Sequence, residues 1–548
     1  MGWIFLAATM AIGAAFIFWL QRDLAFADDS FNWLTLTGLG PNKVLIEPYG
    51  GHLILIPLLI FKAVLGTVGV SFTAFGVIQV ILLLLLSALL YEYGRRRVGP
   101  LLALPAAVIV LFLGSSWNVL LQPMLGIQFL SALVPGVAAL LTLERDDRRG
   151  DIATCALLTL ATWGFEMGFA FLVGAGVGIA MRSDRWRRAW VVVIPLVIYG
   201  VWRIWASQYG GAGLHLSNLL WVPAYAVDSL GVVIVSLFGL SYWVSPGQLT
   251  ALKLNGFDLN HFSEGLVLLA LEVLAVSLVV RRMRLRGRIP TTFWIAVAVL
   301  VTLWVEQGLA LSPDRTPGEI RYIFPDTVAF LLVAVEAARG IRAIRATVVA
   351  AIGLTVVAVA GNLARFKEGR DILAEYSPPA KAAITVMVLG GSDISPDFNA
   401  AADAPEAFAT DRAVYFGAGS IQQLSAKFGS PGYTIPELLS QSESVRRSAD
   451  IVAAHALRIH TEPVGASGGV CHPRRGKGES VALQPGESIL VSRRPSSVLA
   501  RRFADHYVIE VGHVTPDHPV SLRIPGDSAA IPWRVRAPGS GSLTACPR

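Results

Sequence analysis

Residues 71–97 read SFTAFGVIQVILLLLLSALLYEYGRRR. From Phe72 to Leu90 no residue is charged, and three consecutive arginines, Arg95–Arg97, close the stretch. A helix needs about 20 mostly apolar residues to cross the hydrocarbon core of a bilayer. Lys and Arg collect on the cytoplasmic side of such a helix. One segment therefore supplies both a candidate span and its polarity.

The pattern recurs along the chain. Residues 100–113, 189–202, 265–280, 291–303 and 346–360 are almost free of charge, and further basic clusters stand at Arg148–Arg149, Arg185–Arg188, Arg281–Arg288 and Arg339–Arg345. The 548 residues are 54% hydrophobic and 15% charged, with mean hydropathy +0.59. Soluble domains carry about 25% charged residues, so a polytopic α-helical membrane protein is expected. The net charge of +7 sits in the short loops beside apolar segments, which is a topology signal and argues against nucleic-acid binding.

Placing the arginine clusters in the cytoplasm fixes the crossings. Segments near 71–93, 124–143, 264–281 and 321–338 run into a cluster and enter the cytoplasm, whereas segments near 100–116, 189–206, 291–311 and 346–361 leave it. The apolar stretch between Arg149 and Arg182 is too long for one upright span and is flanked by charge at both ends. It reads as a tight hairpin, 152–165 then 167–181, with Glu166 at the outer tip. With residues 3–20 as a first helix, the total is about eleven spans, the N-terminus inside and the C-terminal part outside the inner membrane. Ala25-Phe26-Ala27 mimics a signal-peptidase site, but no Lys or Arg precedes the first helix, so a retained helix is expected. Crossing by 214–245 would break the parity. With Trp221, Tyr225, Tyr242 and Trp243 it reads as interfacial or re-entrant. Residues 53–66, interrupted by Pro57 and Lys62, read as a surface helix.

Three regions follow: a transmembrane part, 1–361; an extracytoplasmic, mainly helical part, 362–455, whose clearest helix is 440–457; and a β-rich part, 456–548. Ser488–Val491 and Tyr507–Val511 are short β-like runs separated by turn residues, as in a small sandwich. Cys155 lies in an apolar segment, while Cys471 and Cys546 bracket the polar end and would pair as a disulfide in an oxidising compartment.

The residues suited to chemistry gather in the outer loops. Asp28-Asp29 follows the first helix, and a carboxylate there can act as general base or bind a divalent cation. A capping aspartate in a solvated loop is the plainer alternative. Glu166 is costly in an apolar hairpin unless it faces protein or a wet cavity. Arg321-Tyr322 follows Pro313-Asp314-Arg315-Thr316-Pro317-Gly318-Glu319 at the start of a late span, where a guanidinium could hold a phosphate; the alternative for it and for Arg315 is interfacial snorkelling. His52, Arg203 and Glu306 lie near outer helix ends, while Lys62, Glu272 and Glu336 are scattered ionisable groups in apolar stretches. Trp533 and Tyr507 could stack on sugar rings, although core packing is the commoner role for such aromatics.

The order of elements carries a resemblance. A first helix leads to Ala27-Asp28-Asp29-Ser30-Phe31, then Glu47-Pro48-Tyr49-Gly50-Gly51-His52, the apolar Leu53–Gly66, a long helix and Tyr91-Glu92-Tyr93-Gly94-Arg95-Arg96-Arg97. Over residues 1–210 this resembles the GT-C superfamily of membrane glycosyltransferases, which includes protein O-mannosyltransferases and the aminoarabinose transferases of lipid A. The resemblance implies a polyprenyl-phosphate sugar donor, an acceptor in the cell envelope, and Asp28 or Asp29 as base. It implies substrate binding by Glu166, Arg321 and Tyr322, and allows a divalent cation, Mg or Mn, at Asp29. The family's double-proline stretch is replaced here by the segment containing Glu47 and His52, which are carried as substrate-binding candidates. A lipid-linked glycan flippase would show paired inverted repeats and ionisable groups near the midplane. No repeat is visible in this sequence. A non-catalytic envelope scaffold is the third reading.

Overall fold

The computed structural model describes residues 2–26, 30–210, 213–240, 249–250, 253, 259–285, 287, 289–408, 417–464, 474–475, 480–507, 509–527, 529 and 531–547. It divides into two compact units. The first comprises Met1–Arg22, Pro41–Ala63 and Thr73–Asp371, and the second Asp23–Gly40, Val64–Phe72 and Ile372–Arg548.

The first unit is a helical bundle. Among the described residues, seven helices of the chain are long and apolar enough to cross a membrane, or eight if the bent pair Leu104–Leu111 and Gly114–Leu121 counts as one span. That is fewer than the eleven expected from sequence, for local reasons. The hairpin forms as Arg148–Gly164 and Gly168–Ala180, with 17 and 13 residues, each below the usual bilayer-spanning length of about 20. Ile320–Ala338 carries Arg321, Asp326 and Glu336. Leu55–Thr67, expected as a surface helix and not among the eleven, is a 13-residue apolar helix also below that length.

The hairpin's tightness is written in its glycines. A Cβ on Gly164 would stand 2.3 Å from the Ser131 carbonyl oxygen, and one on Gly168 would stand 2.1 Å from that of Ala161. At the hairpin's base Asp147 caps Arg148–Gly164 by accepting from the Gly150 N–H, satisfying one of the first-turn donors.

Charge organises one end of the bundle. Arg97, at the end of Phe72–Val98, pairs with Glu336 from the end of Ile320–Ala338 and with Glu144 just after Pro123–Leu143. Tyr93 donates to Glu336 at 2.9 Å, as does Thr292 at the start of Thr291–Leu309. Glu336 is wholly buried, and a buried ion pair holds only when its remaining lone pairs are also satisfied, which these hydroxyls accomplish. The Trp3 ring lies 4.7 Å from that of Tyr91, so the first helix, Gly2–Gln21, begins at this arginine end.

The opposite end is fastened by neutral hydrogen bonds. Ser116 donates to the Ile320 carbonyl at 2.9 Å. The buried Asn362 side chain accepts from the Ser115 N–H at 2.8 Å and donates to the carbonyls of Ser236 and Leu237 at 3.1 and 3.0 Å. Gly114 permits the approach, since a Cβ there would meet the Asn362 carbonyl oxygen at 1.9 Å.

This junction places the segment that sequence reading set at the interface. Leu216–Leu237 has the length and composition of a span. Yet its start is tied to the C-terminal end of Thr291–Leu309, where Asn218 donates to Leu309 and Leu311 and the His215 N–H donates to Leu309. Its finish is tied to Ser115 and Asn362. Both ends are therefore held at the end of the bundle remote from Arg97.

The second unit combines short helices with two antiparallel sheets. Glu443–Ala456 and Ala418–Phe428 are its longer complete helices. Among the described residues nine strands follow: β1 Thr461–Pro463, β2 Arg474–Arg475, β3 Ser480–Leu483, β4 Gly486–Ser492, β5 Ser496–Arg501, β6 Ile509–Val514, β7 Val520–Ile524, β8 Trp533–Arg536 and β9 Leu543–Pro547. One sheet has the order β1-β7-β4-β9-β2 and the other β3-β8-β5-β6. Cys546 on β9 is disulfide-bonded and Cys155 is free; Cys471 lies outside the described residues. Trp533 is almost fully buried and packs as core. Tyr507 is bonded through its hydroxyl to Ser480, and Arg501 covers its ring.

Asp450 locks the helix Glu443–Ala456 to the segment after β5. Its carboxylate accepts from three successive N–H groups, Arg502, Phe503 and Ala504, at 2.8–3.0 Å. Burial nevertheless pushes this carboxyl up to about 6.

Two outcomes test this architecture. Leu216→Cys and Leu240→Cys should both react with an impermeant maleimide added from the same side of sealed vesicles; labelling from opposite sides would mean that the helix crosses. The folded Asp450 carboxyl also titrates above the usual aspartate value of about 3.9. Its contribution to stability is therefore complete below pH 4 and lost as pH rises to 6. Thermal unfolding should show the gap between wild type and Asp450→Asn narrowing by about 3 kcal/mol over that window and level above it.

Candidate functional site

The segment Glu47–His52 builds the site through a two-residue turn. Tyr49 and His52 exchange both backbone hydrogen bonds at 3.0 Å. Gly50 and Gly51 between them have φ of 56° and 87°. Positive φ at both central positions is the requirement of a hairpin turn of type I′, which glycine meets without strain.

The helix Trp190–Ala206 and the turn after it hold this hairpin in place. Arg203 donates to the Gly51 carbonyl at 3.0 Å and Trp202 to the Ile46 carbonyl at 2.8 Å. Tyr209 donates to Glu47 at 3.3 Å, and Lys43 pairs with the same carboxylate. The turn thereby presents His52 to the hairpin tip, where its Nδ1 makes a short hydrogen bond to Glu166. The His52 ring rests 5.2 Å from Phe165, which lies 5.3 Å from Phe129. Both His52 and Glu166 keep about a fifth of their side-chain surface exposed.

Two further groups lie within electrostatic range. Glu306 interacts with Glu166, and Tyr199 with Glu166, Arg203 and Glu306. The Glu306 Oε1 atom is closed to solvent and has no hydrogen-bond donor among the described residues. A buried carboxylate oxygen without a donor favours a cation or a ligand's hydrogen-bond donor. The cluster can therefore accept hydrogen bonds from a polyhydroxylated molecule.

Of the residues named from sequence, His52 and Glu166 come together, with Glu47 on the same hairpin segment and Arg203 and Glu306 beside them. Arg321 and Tyr322 form a separate locus: Arg321 donates to the Asp314 carbonyl at 3.0 Å, lies 3.9 Å from Glu319 and covers the Tyr322 ring at 5.4 Å. Arg315 acts electrostatically on Tyr322. Both loci stand at the bundle end remote from Arg97. Asp28 and Asp29 lie outside the described residues. Glu336 belongs to the ion network of the other end, and Lys62 donates to Asn42. Tyr199, Trp202 and Tyr209 escaped sequence reading because aromatic residues on an apolar helix look like an interfacial belt. Asp326, buried and accepting from Gln307 at 2.9 Å, also escaped; its only signal was a charge in an apolar run. No cluster of three or more His, Cys, Asp or Glu residues able to hold a metal occurs among the described residues.

No family model, no curated protein and no solved structure matches this chain.

The His52–Glu166 contact should be energetic and local. A double-mutant cycle of His52→Ala and Glu166→Ala should give a coupling of about 1–3 kcal/mol in thermal unfolding. Additive losses would show that the two side chains stand together without holding each other.

Proposed function

We propose that this chain is a membrane glycosyltransferase that moves a sugar from a polyprenyl-phosphate donor to a cell-envelope glycan, lipid or protein on the outer face of the cytoplasmic membrane. The observation that carries the reading is the convergence of His52, Glu166, Arg203 and Glu306 at the bundle end opposite the arginine clusters. Hydrogen-bond acceptors gathered beside a carboxylate oxygen that has no donor among the described residues suit a sugar's hydroxyls. The positive-inside rule places that end outside, with the N-terminus in the cytoplasm.

In this reading Asp28 or Asp29 takes the proton from the acceptor hydroxyl. The oxygen attacks the anomeric carbon and the bond to the lipid phosphate breaks. A single displacement inverts that carbon. The phosphate leaves with the bonding pair, opposed by the charge of Arg321, with Tyr322 beside it. Glu166, Glu306, His52 and Glu47 hold the sugar. A divalent cation, Mg or Mn, would be held from Asp29 and would offset charge on the departing phosphate.

The test compares envelope glycans from cells carrying wild-type chain or Asp28→Asn/Asp29→Asn, at equal membrane levels. Loss of a general base lowers such a reaction by roughly 10²–10⁴-fold, so one glycan should disappear from the variant. Its persistence at the wild-type level would remove the proposed mechanism.

A further inference from the structure

At the arginine end of the first unit, the connection from Leu143 to Arg148 and the one from Arg182 to Trp190 line an open cavity of about 1060 Å3. Its aspartates are already engaged. Asp146 pairs with Arg182 and Arg188, Asp151 with Arg188, and Asp184 with Arg182. Asp147 caps its helix and faces Arg145 at 3.5 Å. The four arginines and four aspartates of the lining balance in number. Arg148 and Arg187, however, are exposed and pair with no carboxylate among the described residues.

A second observation points the same way. The Arg188 side chain is 5% exposed, and its Nε, closed to solvent, has no acceptor among the described residues. A buried guanidinium N–H without an acceptor is costly, and an anionic oxygen in the recess would supply one. The first turn of Arg148–Gly164 adds backbone N–H groups at a helix N-terminus, where anions are favoured.

The apolar surroundings decide the kind of anion. Ile152 and Trp190 line the cavity, Trp186 beside it is 82% exposed, and Val193, Ile194 and Val197 on the adjoining helix Trp190–Ala206 face outward. A soluble phosphate would need only the arginines. A charged recess that opens beside a long exposed apolar face fits a molecule with a phosphate at one end and acyl chains at the other.

We propose that this cavity binds the phosphate of an anionic phospholipid from the leaflet on the arginine side, with its acyl chains lying along Trp190–Ala206. The site is independent of the sugar-transfer reading, because none of its residues belongs to that chemistry.

The experiment uses the full chain in detergent, titrated with phosphatidylglycerol or phosphatidylcholine and read by native mass spectrometry. Selective retention of phosphatidylglycerol is expected. Each surface arginine contributes about fivefold to such binding, so Arg148→Gln/Arg187→Gln should bind roughly 25-fold more weakly. Arg149→Gln/Arg185→Gln, which removes the same net charge outside the lining, should bind as wild type does. The proposal fails if phosphatidylcholine is retained equally, if the two double variants lose affinity alike, or if inorganic phosphate competes with the lipid at equal concentration.

Discussion

An arginine side chain is expensive in hydrocarbon, and this constraint organises the helical unit. Each basic cluster must stay where water or headgroups can solvate it, so the helix ends that carry clusters gather at one end. Arg97 is an exception that shows the rule. It is almost fully buried, but the helices that bury it deliver Glu144 and Glu336 to its guanidinium, while Tyr93 and Thr292 complete Glu336. Removing one partner from such a cluster typically costs about 3–5 kcal/mol, because the other charge is left buried and unpaired.

The opposite end uses no such ion network at its main junction. Asn362 joins three chain segments through one amide, and glycines at 114, 239 and 361 let the backbones meet. A Cβ on Gly361 would stand 1.9 Å from the Phe238 carbonyl oxygen. The contrast has a functional consequence. Glu144 and Glu336 are taken up by arginine pairing at the other end, whereas Glu306 here keeps an oxygen without a donor among the described residues.

Much of the bundle was legible from composition alone. The apolar runs give long helices because helix formation there depends on local chemistry. The position of Leu216–Leu237 depends instead on what its ends bind. Composition describes it as a span; tethering by Asn218 and Asn362 holds both of its ends at the same end of the bundle. The candidate site shows the same limit. His52 and Glu166 were each visible as ionisable groups near helix ends, but 114 residues separate them, and no periodicity predicts that pairing. Asp450 was invisible for a similar reason. Its three N–H partners lie about fifty residues onward in a strand-end turn, and nothing local marks an aspartate in an amphipathic helix as buried.

The glycine pair at 50–51 links these points to chemistry. A longer loop could bring a histidine to Glu166, but at the entropic expense of ordering it each time a ligand binds. A two-residue turn with both φ values positive has few alternative conformations once Arg203 and Trp202 grip its two sides. His52 is thus held against Glu166 by backbone geometry and aromatic packing, independently of any ligand. A preorganised acceptor set of this kind loses little on binding, so the interaction energy of a hydroxylated ligand is available for recognition and orientation.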